Sequence, residues 1–179
     1  MRPESDLRHR RLGFSVQLAV IEDREEYHKK LTREQLSERE RQPVPFHVVI
    51  NPRIVSSESP NLEFFEGWLS VAGYSAIVPR ARTIRLEYLN EFAESKKVHA
   101  FGWYARILQH EIDHLAGILY LDRMKVRTFT TLENLERLWK DLPASEVQAR
   151  LKLRLTANAC LRVLLYDSAR KELWLIHLH

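Results

Sequence analysis

The chain has 179 residues, of which 45% are hydrophobic and 29% are charged, and its formal net charge is +4. A chain of this length and composition can bury one hydrophobic core, so we expect a single domain over residues 1–179. It has no apolar run near the ~18 residues of a membrane helix and no secretory signal pattern, so we expect no membrane span. The only cysteine, Cys160, cannot form an intrachain disulfide, and the positive charge is too dispersed to predict a specific nucleic-acid interface.

The chain opens with a predicted strand and a charged segment. Residues 14–21 alternate, which predicts a half-buried strand whose buried face carries Phe14, Val16, Leu18 and Val20. Residues 22–45 are then expected to form a charged surface insertion that is partly helical. Thr32 and Gln35 within it have the spacing of a helix capping box.

Further short strands are predicted at 47–50, 53–56 and 62–65, because Asn51-Pro52 and a Ser/Pro-rich turn interrupt the apolar residues. Residues 82–89 alternate again and predict a strand with three side chains on one face: Ile84, Leu86 and Tyr88. Residues 96–100 are expected to pair with it.

Two helices are predicted in the second half of the chain. From Gly102 to Leu115 the apolar residues have helical spacing, and Gly117 follows at a typical stop position. A second helix is expected over 131–142, with a capping box between Thr130 and Glu133. Its expected buried stripe consists of Leu132, Leu135, Leu138 and Trp139.

The C-terminal segments 160–167 and 172–179 are expected to form a hairpin. Strands followed by helices indicate an α+β fold, mostly antiparallel.

The stretch QHEIDHLAG, residues 109–117, contains the pattern His-Glu-x-x-His. Residues four apart on a helix lie on one face, so His110 and His114 can bind one metal ion together. Glu111 is offset by about 100° and can take a proton from a water that the metal activates. The alternative is a helix with two histidines that bind no metal.

The residues around this pattern resemble the third motif of the peptide deformylases, His-Glu-x-Asp-His-Leu-x-Gly, which Asp113, Leu115 and Gly117 continue. The flanking GWYARILQ and RTFT also resemble that family, especially its eukaryotic organellar branch. Upstream, FEGWLSVAGYSAIVPRARTIRLEY resembles the second motif and its strand, and VVINPRIV resembles the strand before it. The resemblance covers residues 12–130, which leaves 131–179 as a C-terminal helix and extension, and it implies antiparallel strands around the metal-motif helix.

The resemblance implies removal of the formyl group from N-formylmethionine at the N-termini of nascent proteins. The implied cofactor is a divalent metal, Fe2+ foremost, with Zn2+, Co2+ or Ni2+ as alternatives. His110 and His114 match metal ligands, Glu111 matches the general base and acid, and the backbone N–H of Leu69 matches an oxyanion donor. Gly67 matches the glycine of the second motif. The implied partners are formylated N-termini and the ribosome, and the implied location is a mitochondrion or another organelle, otherwise the cytoplasm.

Two positions depart from the family pattern. The third ligand, a cysteine in the family, is matched by Trp68, whose indole offers only an N–H donor. Glu66 or a water is the candidate replacement, because Cys160 lies far away in the sequence. The glutamine of the first motif is matched by Arg11, and loss of such an oxyanion donor costs on the order of 100- to 1,000-fold in rate.

Two side chains are further candidates for contact with substrate: Trp68, and Arg106 one turn before His110. For Arg106 the alternative is an ordinary surface arginine. Three functions remain open on the sequence: an active deformylase, an inactive homologue that binds protein N-termini or the ribosome, and a general zinc peptidase. The last needs a third ligand, and no downstream histidine pattern supplies it. His177 and His179 at the chain end are expected to be exposed and without a role.

Overall fold

The computed structural model describes residues 17–140, 142–156, 161–167 and 172–178. The strands are β1 Leu18–Asp23, β2 Val44–Gly67, β3 Tyr74–Leu89, β4 Ser95–Phe101, β5 Thr130–Thr131, β6 Leu161–Asp167 and β7 Glu172–Leu178. The helices are α1 Glu25–His28, α2 Arg33–Glu38, α3 Gly102–Leu115, α4 Leu132–Asn134 and α5 Ala144–Thr156. Short 3-10 turns lie at 69–71, 120–122 and 126–128, and a π-helical turn at 135–139 follows α4. None of these helices is long and apolar enough to cross a membrane.

The strands β1 to β4 form a five-stranded sheet with β5, in the order β1-β2-β3-β4, and β5 pairs with β3. Every pairing in this sheet is antiparallel. The strands β6 and β7 form a separate antiparallel pair, and their connection, residues 168–171, falls outside the described ranges. The predicted α+β class, the pairing of 82–89 with 96–100 and the C-terminal hairpin are therefore confirmed.

The three short strands predicted between 47 and 65 are wrong, because β2 is one strand of 24 residues. Its register with β3 shifts at three places, one of them between Ile50 and Arg53. Asn51 has a φ of 49° there, and its backbone N–H donates to the carbonyl of Gln17 at 2.8 Å. A bulge of this kind accommodates the missing N–H of Pro52 without ending the strand.

The buried face predicted for β1 is also wrong within the described residues. Ala19, Ile21 and Asp23 are buried, whereas Leu18 is 42% exposed. The buried face packs Ala19 and Ile21 into the main core, and it ends with a buried polar group. Asp23 accepts two hydrogen bonds from Arg41, at 2.7 and 2.8 Å, and lies 3.1 Å from His28 Nε2. Phe14 and Val16 fall outside the described residues.

The charged segment 22–45 is partly helical, as predicted, and its capping box is confirmed. Thr32 Oγ1 accepts from the Gln35 backbone N–H at 3.2 Å, and Gln35 Oε1 accepts from the Thr32 N–H at 3.1 Å. The segment is not a purely surface insertion, because Asp23 and His28 are buried.

The main core lies between the sheet and α3. Ile84 and Leu86 on β3 and Ala105 and Leu108 on α3 are almost completely buried in one cluster. Burial of each Leu or Ile side chain stabilises the fold by about 1.5–3 kcal/mol. This packing fixes the face of α3 that carries the histidines.

The end of α3 is set by Gly117, as the sequence predicts. Gly117 has a φ of +73°, its N–H donates to the carbonyl of His114 at 3.1 Å, and the Ile118 N–H donates to that of Asp113 at 2.9 Å. These two hydrogen bonds form a Schellman motif, which a glycine in the left-handed region makes without strain.

The second predicted helix differs from the structure in its cap and its buried stripe. Thr131, not Thr130, is the N-cap, and its Oγ1 accepts from the Asn134 N–H at 3.2 Å. Leu132 is 49% and Leu138 47% exposed, so they are not buried as expected. The π-helical turn at 135–139 changes the angular spacing on which the predicted stripe depends.

Gly102, the first residue of α3, lies against Glu40 of the charged segment. Its φ is +58°, and a Cβ added there would lie 2.6 Å from the Cβ of Glu40 and 2.7 Å from its carbonyl oxygen. We therefore expect Gly102→Ala to lower the free energy of unfolding by about 3 kcal/mol, measured by urea denaturation.

Gly117→Ala is the matched control for Gly102→Ala. It has the same backbone strain, with a φ of +73°, but no atom within 4 Å of the added Cβ. We expect it to cost about 1–2 kcal/mol. An equal decrease in the free energy of unfolding in the two variants would show that Glu40 moves aside without a measurable energetic cost.

Candidate metal centre

One face of α3 brings together the two histidines of the His-Glu-x-x-His pattern. The Nε2 atoms of His110 and His114 lie 2.9 Å apart, and their ring centroids are separated by 4.6 Å. A carboxylate oxygen of Glu111 joins them, so that one ligand atom from each of the three residues lies within 4.8 Å of the others. Imidazole nitrogens are donors that Zn2+ and Fe2+ accept in proteins, so the two histidines fit a divalent ion, with the Glu111 carboxylate beside them.

Glu66, at the end of β2, contacts the other nitrogen of the first histidine. Its Oε2 lies 3.1 Å from His110 Nδ1. A hydrogen bond donated from Nδ1–H to this carboxylate leaves the lone pair of Nε2 directed toward His114. Metal-binding histidines are typically oriented by such a contact. Glu66 therefore contacts His110 through the nitrogen that faces away from the pair, and it is not placed as the third ligand.

Glu66 belongs to a buried network of ion pairs. Arg80 on β3 binds it with two nitrogens, at 2.9 and 3.1 Å, and Arg106 on α3 lies 2.9 Å away. Arg80 also pairs with Asp113, which in turn binds Arg123 at 2.6 and 2.7 Å. The side chains of Glu66, Arg80, Arg106 and Asp113 are all buried. The network ties β2, β3 and α3 together directly behind His110.

The network keeps Glu66 ionised. Burial opposes the charged form, but hydrogen bonds from His110 and Arg80 and the charges of Arg106 and Arg80 outweigh it and lower the pKa of Glu66 to about 2. Burial also lowers the pKa of Arg106 to about 10, against the attraction of Glu66. Both groups are charged at neutral pH, so His110 always faces a carboxylate.

Arg106, predicted as a contact for substrate or a surface residue, lies inside the protein and is 4% exposed. Its guanidinium donates to the carbonyls of Leu62, Phe64 and Val78 at distances between 2.7 and 3.2 Å. A surface position is therefore wrong. Arg106 fastens β2 to β3, and its role toward substrate stays a prediction.

Trp68 lies against both histidines. Its ring centroid is 3.4 Å from that of His114, at an interplanar angle of 73°, and 5.8 Å from that of His110. The indole also packs on a cluster that contains Val78 and Tyr120. The position that the family pattern gives to a ligand is therefore beside the histidine pair and filled by an aromatic ring.

Gly67 and Leu69 flank Trp68. Gly67 pairs with Ser75 on β3, and a Cβ at Gly67 would lie 3.3 Å from the carbonyl oxygen of Tyr74, which is closer than ordinary contact. Leu69 begins the 3-10 turn at 69–71, so its N–H has no partner within the turn. The predicted roles of these two residues toward substrate stay predictions.

Sequence reasoning missed Arg80 and its partners. Asp113 within HEIDH was a visible signal, since a carboxylate beside metal ligands is commonly buried and paired. Arg80 could not be assigned, because its contacts with Glu66 and Asp113 span 14 and 33 residues. Three residues that the sequence singled out, Arg11, Cys160 and His179, fall outside the described ranges, and His177 lies in β7.

The network predicts how stability depends on pH. The pKa of Glu66 is about 2 in the folded protein and ordinarily 4.5, so its stabilisation is complete above pH 4.5 and is lost as pH falls toward 2. Glu66→Gln should lack this part of the acid transition. At neutral pH it should lose on the order of 3 kcal/mol in urea unfolding, because two buried arginines lose their carboxylate.

Glu87→Gln is the matched control for Glu66→Gln. Glu87 also pairs with two cations, Arg53 and Lys97, but on the surface. We expect little change in its unfolding, since water and salt screen exposed pairs. Equal behaviour of the two variants would contradict the importance given to the buried network.

Comparison with known proteins gives the same family at the level of sequence and structure. Peptide deformylase 1A, chloroplastic, of Solanum lycopersicum is 41% identical over 125 residues, which are 70% of this chain and 45% of that protein. The mitochondrial peptide deformylase of Homo sapiens is 38% identical over 121 residues, which are 68% of this chain and 50% of that protein. The chain thus spans about half the length of these relatives.

Among solved structures, that of the class I type b peptide deformylase from Acinetobacter baumannii with bound Met-Ala-Ser is similar. Its TM-score is 0.50 and its identity 28%, over 60% of this chain and 62% of that chain. The family model described as polypeptide deformylase matches residues 10–129, which is more than half of the chain. The chain therefore belongs to the polypeptide deformylase family, whose members depend on a metal.

Proposed function

We propose that the protein removes the formyl group from N-formylmethionine at the N-termini of nascent proteins. The observation that carries the proposal is the convergence of His110, Glu111 and His114, with their ligand atoms within 4.8 Å of one another. The relatives named peptide deformylases support it. So does the Met-Ala-Ser peptide in the Acinetobacter baumannii structure, since this peptide is what remains when formyl-Met-Ala-Ser loses its formyl group.

In this proposal His110 and His114 hold a divalent metal, Fe2+ foremost, with Zn2+, Co2+ and Ni2+ as alternatives. The ion supplies Lewis acidity, which makes water a nucleophile near neutral pH. Glu66, 3.1 Å from His110 Nδ1, keeps that imidazole oriented for binding.

The protein's own groups then handle the proton and the charge. Glu111 accepts a proton from the attacking water and delivers it to the amine as the formyl C–N bond breaks. The backbone N–H of Leu69 donates to the oxyanion that develops on the formyl oxygen. The products are formate and a free methionine amine, so that one water is consumed for each bond broken.

The remaining predicted residues border this reaction. Gly67 lets the chain approach the β3 strand closely, and the indole of Trp68 forms a wall beside the histidines. Arg106 acts indirectly in this proposal, since it holds the carbonyls of Leu62 and Phe64 in place.

Trp68 also supports a second candidate function. An indole 3.4 Å from the His114 ring offers no lone pair to a metal. The second candidate is therefore a catalytically inactive homologue that uses the same fold to bind protein N-termini or to dock to a ribosome. Formate release distinguishes the two candidates.

We place the protein in an organelle, most specifically the mitochondrion, where formylmethionine starts protein synthesis. Its relatives in Solanum lycopersicum and Homo sapiens are chloroplastic and mitochondrial. Fractionation of cells that express the tagged natural chain would test this location.

The proposed function is tested by formate release from formyl-Met-Ala-Ser, after anaerobic addition of Fe2+ or Co2+ to the purified chain. We expect turnover in the unchanged protein and a loss of at least about 100-fold in Glu111→Gln, because the proton acceptor is gone. Glu133→Gln, an exposed position in α4, should release formate at the normal rate.

Activity that survives in Glu111→Gln would exclude the role given to this carboxylate. No formate from a folded, metal-treated sample of the unchanged protein would reject the deformylase proposal. Binding of a Met-Ala-Ser peptide by that inactive sample would then favour the second candidate.

A further inference from the structure

Trp68 closes the side of the histidine pair that faces the end of β2. Its ring centroid lies 3.4 Å from that of His114 and 5.8 Å from that of His110, so the side chain at position 68 reaches both imidazoles. A catalytic metal site normally has three protein ligands and an open position. The side chain beside the pair, at the position that matches the cysteine of the family, presents carbon and an N–H donor.

The indole is held in this place by its other contacts. Trp68 packs on a cluster of Ala76, Val78 and Tyr120, all of which are buried. An outward rotation would expose both the indole and this cluster to water, which costs free energy in proportion to the apolar area. This packing therefore favours the position of the aromatic ring beside the histidines.

The neighbouring acids, Glu66 and Glu111, are not equivalent replacements for the cysteine ligand of the family. Glu66 contacts His110 through Nδ1 and is paired with Arg80 and Arg106, at 2.9 Å in each ion pair. Glu111 follows His110 directly on α3, and its carboxylate is the group that the proposed function uses for proton transfer. With Glu111 assigned to proton transfer, the two imidazole nitrogens are the ligands that remain in this group among the described residues.

We propose that Trp68 makes this centre a two-histidine site that takes up and releases its divalent ion reversibly, so that loading follows the surrounding metal concentration. The inference rests on the proposed function, because it concerns the metal of the same site. Fewer protein ligands mean faster loss of the ion, and the buried network keeps His110 and His114 in position after the ion has left.

The experiment measures Co2+ affinity, under anaerobic conditions, by competition with a chelator of known affinity. We expect Trp68→Cys to bind Co2+ at least about 100-fold more tightly than the unchanged protein, since removal of even a supporting residue typically changes metal affinity 10- to 100-fold. The variant should also acquire a thiolate-to-cobalt absorption band. Ser70→Cys is the matched control: it adds the same thiol two residues away, at an exposed position, and should leave the affinity unchanged.

Equal Co2+ affinity of the unchanged protein and a folded Trp68→Cys variant would overturn the inference, whether both bind tightly or both fail to bind. Trp68→His, which supplies an imidazole, provides the same comparison if the cysteine variant does not fold. Formate release at saturating Co2+, measured on the same samples, tests the proposed function separately. Turnover by the unchanged protein with equal affinities would keep the function and reject the reversible site.

Discussion

A single buried carboxylate, that of Glu66, organises the centre of this protein. It comes from β2, binds Arg80 on β3, pairs with Arg106 on α3 and contacts His110 on the same helix. Arg80 continues the chain of charges to Asp113, three residues after His110. A buried ion pair adds little net stability compared with apolar packing, but loss of one partner is costly. The network therefore acts mainly as a constraint on where α3 can lie.

The same constraint explains why the histidine pair is preformed. Hydrophobic packing of Leu108 and Ala105 fixes which face of α3 is buried, but it allows small shifts along the helix axis. Charge pairs at 2.9 Å allow much less movement, since their energy depends on distance and direction. The Schellman motif at Gly117 ends the helix one turn after the pair and leaves the His114 carbonyl satisfied. Packing, charge and capping thus agree on one position for His110 and His114.

The sequence predicted the features that depend on local spacing. The helix at 102–115, its stop at Gly117, the capping box of Thr32 and the strand at 82–89 all follow from residues within a few positions of one another. The buried face of β1 could not be predicted in this way. It includes Asp23, whose partner Arg41 lies 18 residues away in the sequence. The continuity of β2 could not be predicted either, since the bulge at Asn51 depends on pairing with β3 and on a hydrogen bond to Gln17.

In the candidate site, too, the sequence predicted the features that depend on local spacing and not those that depend on distant contacts. Spacing alone placed His110, Glu111 and His114 together, and the resemblance placed Trp68 beside them. Neither could reveal that Glu66 contacts His110 from the far nitrogen, because that depends on how β2 crosses α3. This detail bears on the proposed third ligand, since it pairs Glu66 with the nitrogen of His110 that faces away from His114.

The ion pairs that support His110 and the side chain at position 68 therefore have separate physical origins. The buried charges that orient His110 also hold the sheet and helix together, so they are needed for folding whether or not a metal binds. Position 68 is outside these ion pairs. Its indole packs on Val78 and Tyr120, and a smaller side chain there would leave a cavity but no unpaired buried charge. In the proposed site, a substitution at position 68 therefore acts on metal affinity and leaves the ion pairs that orient His110 unchanged.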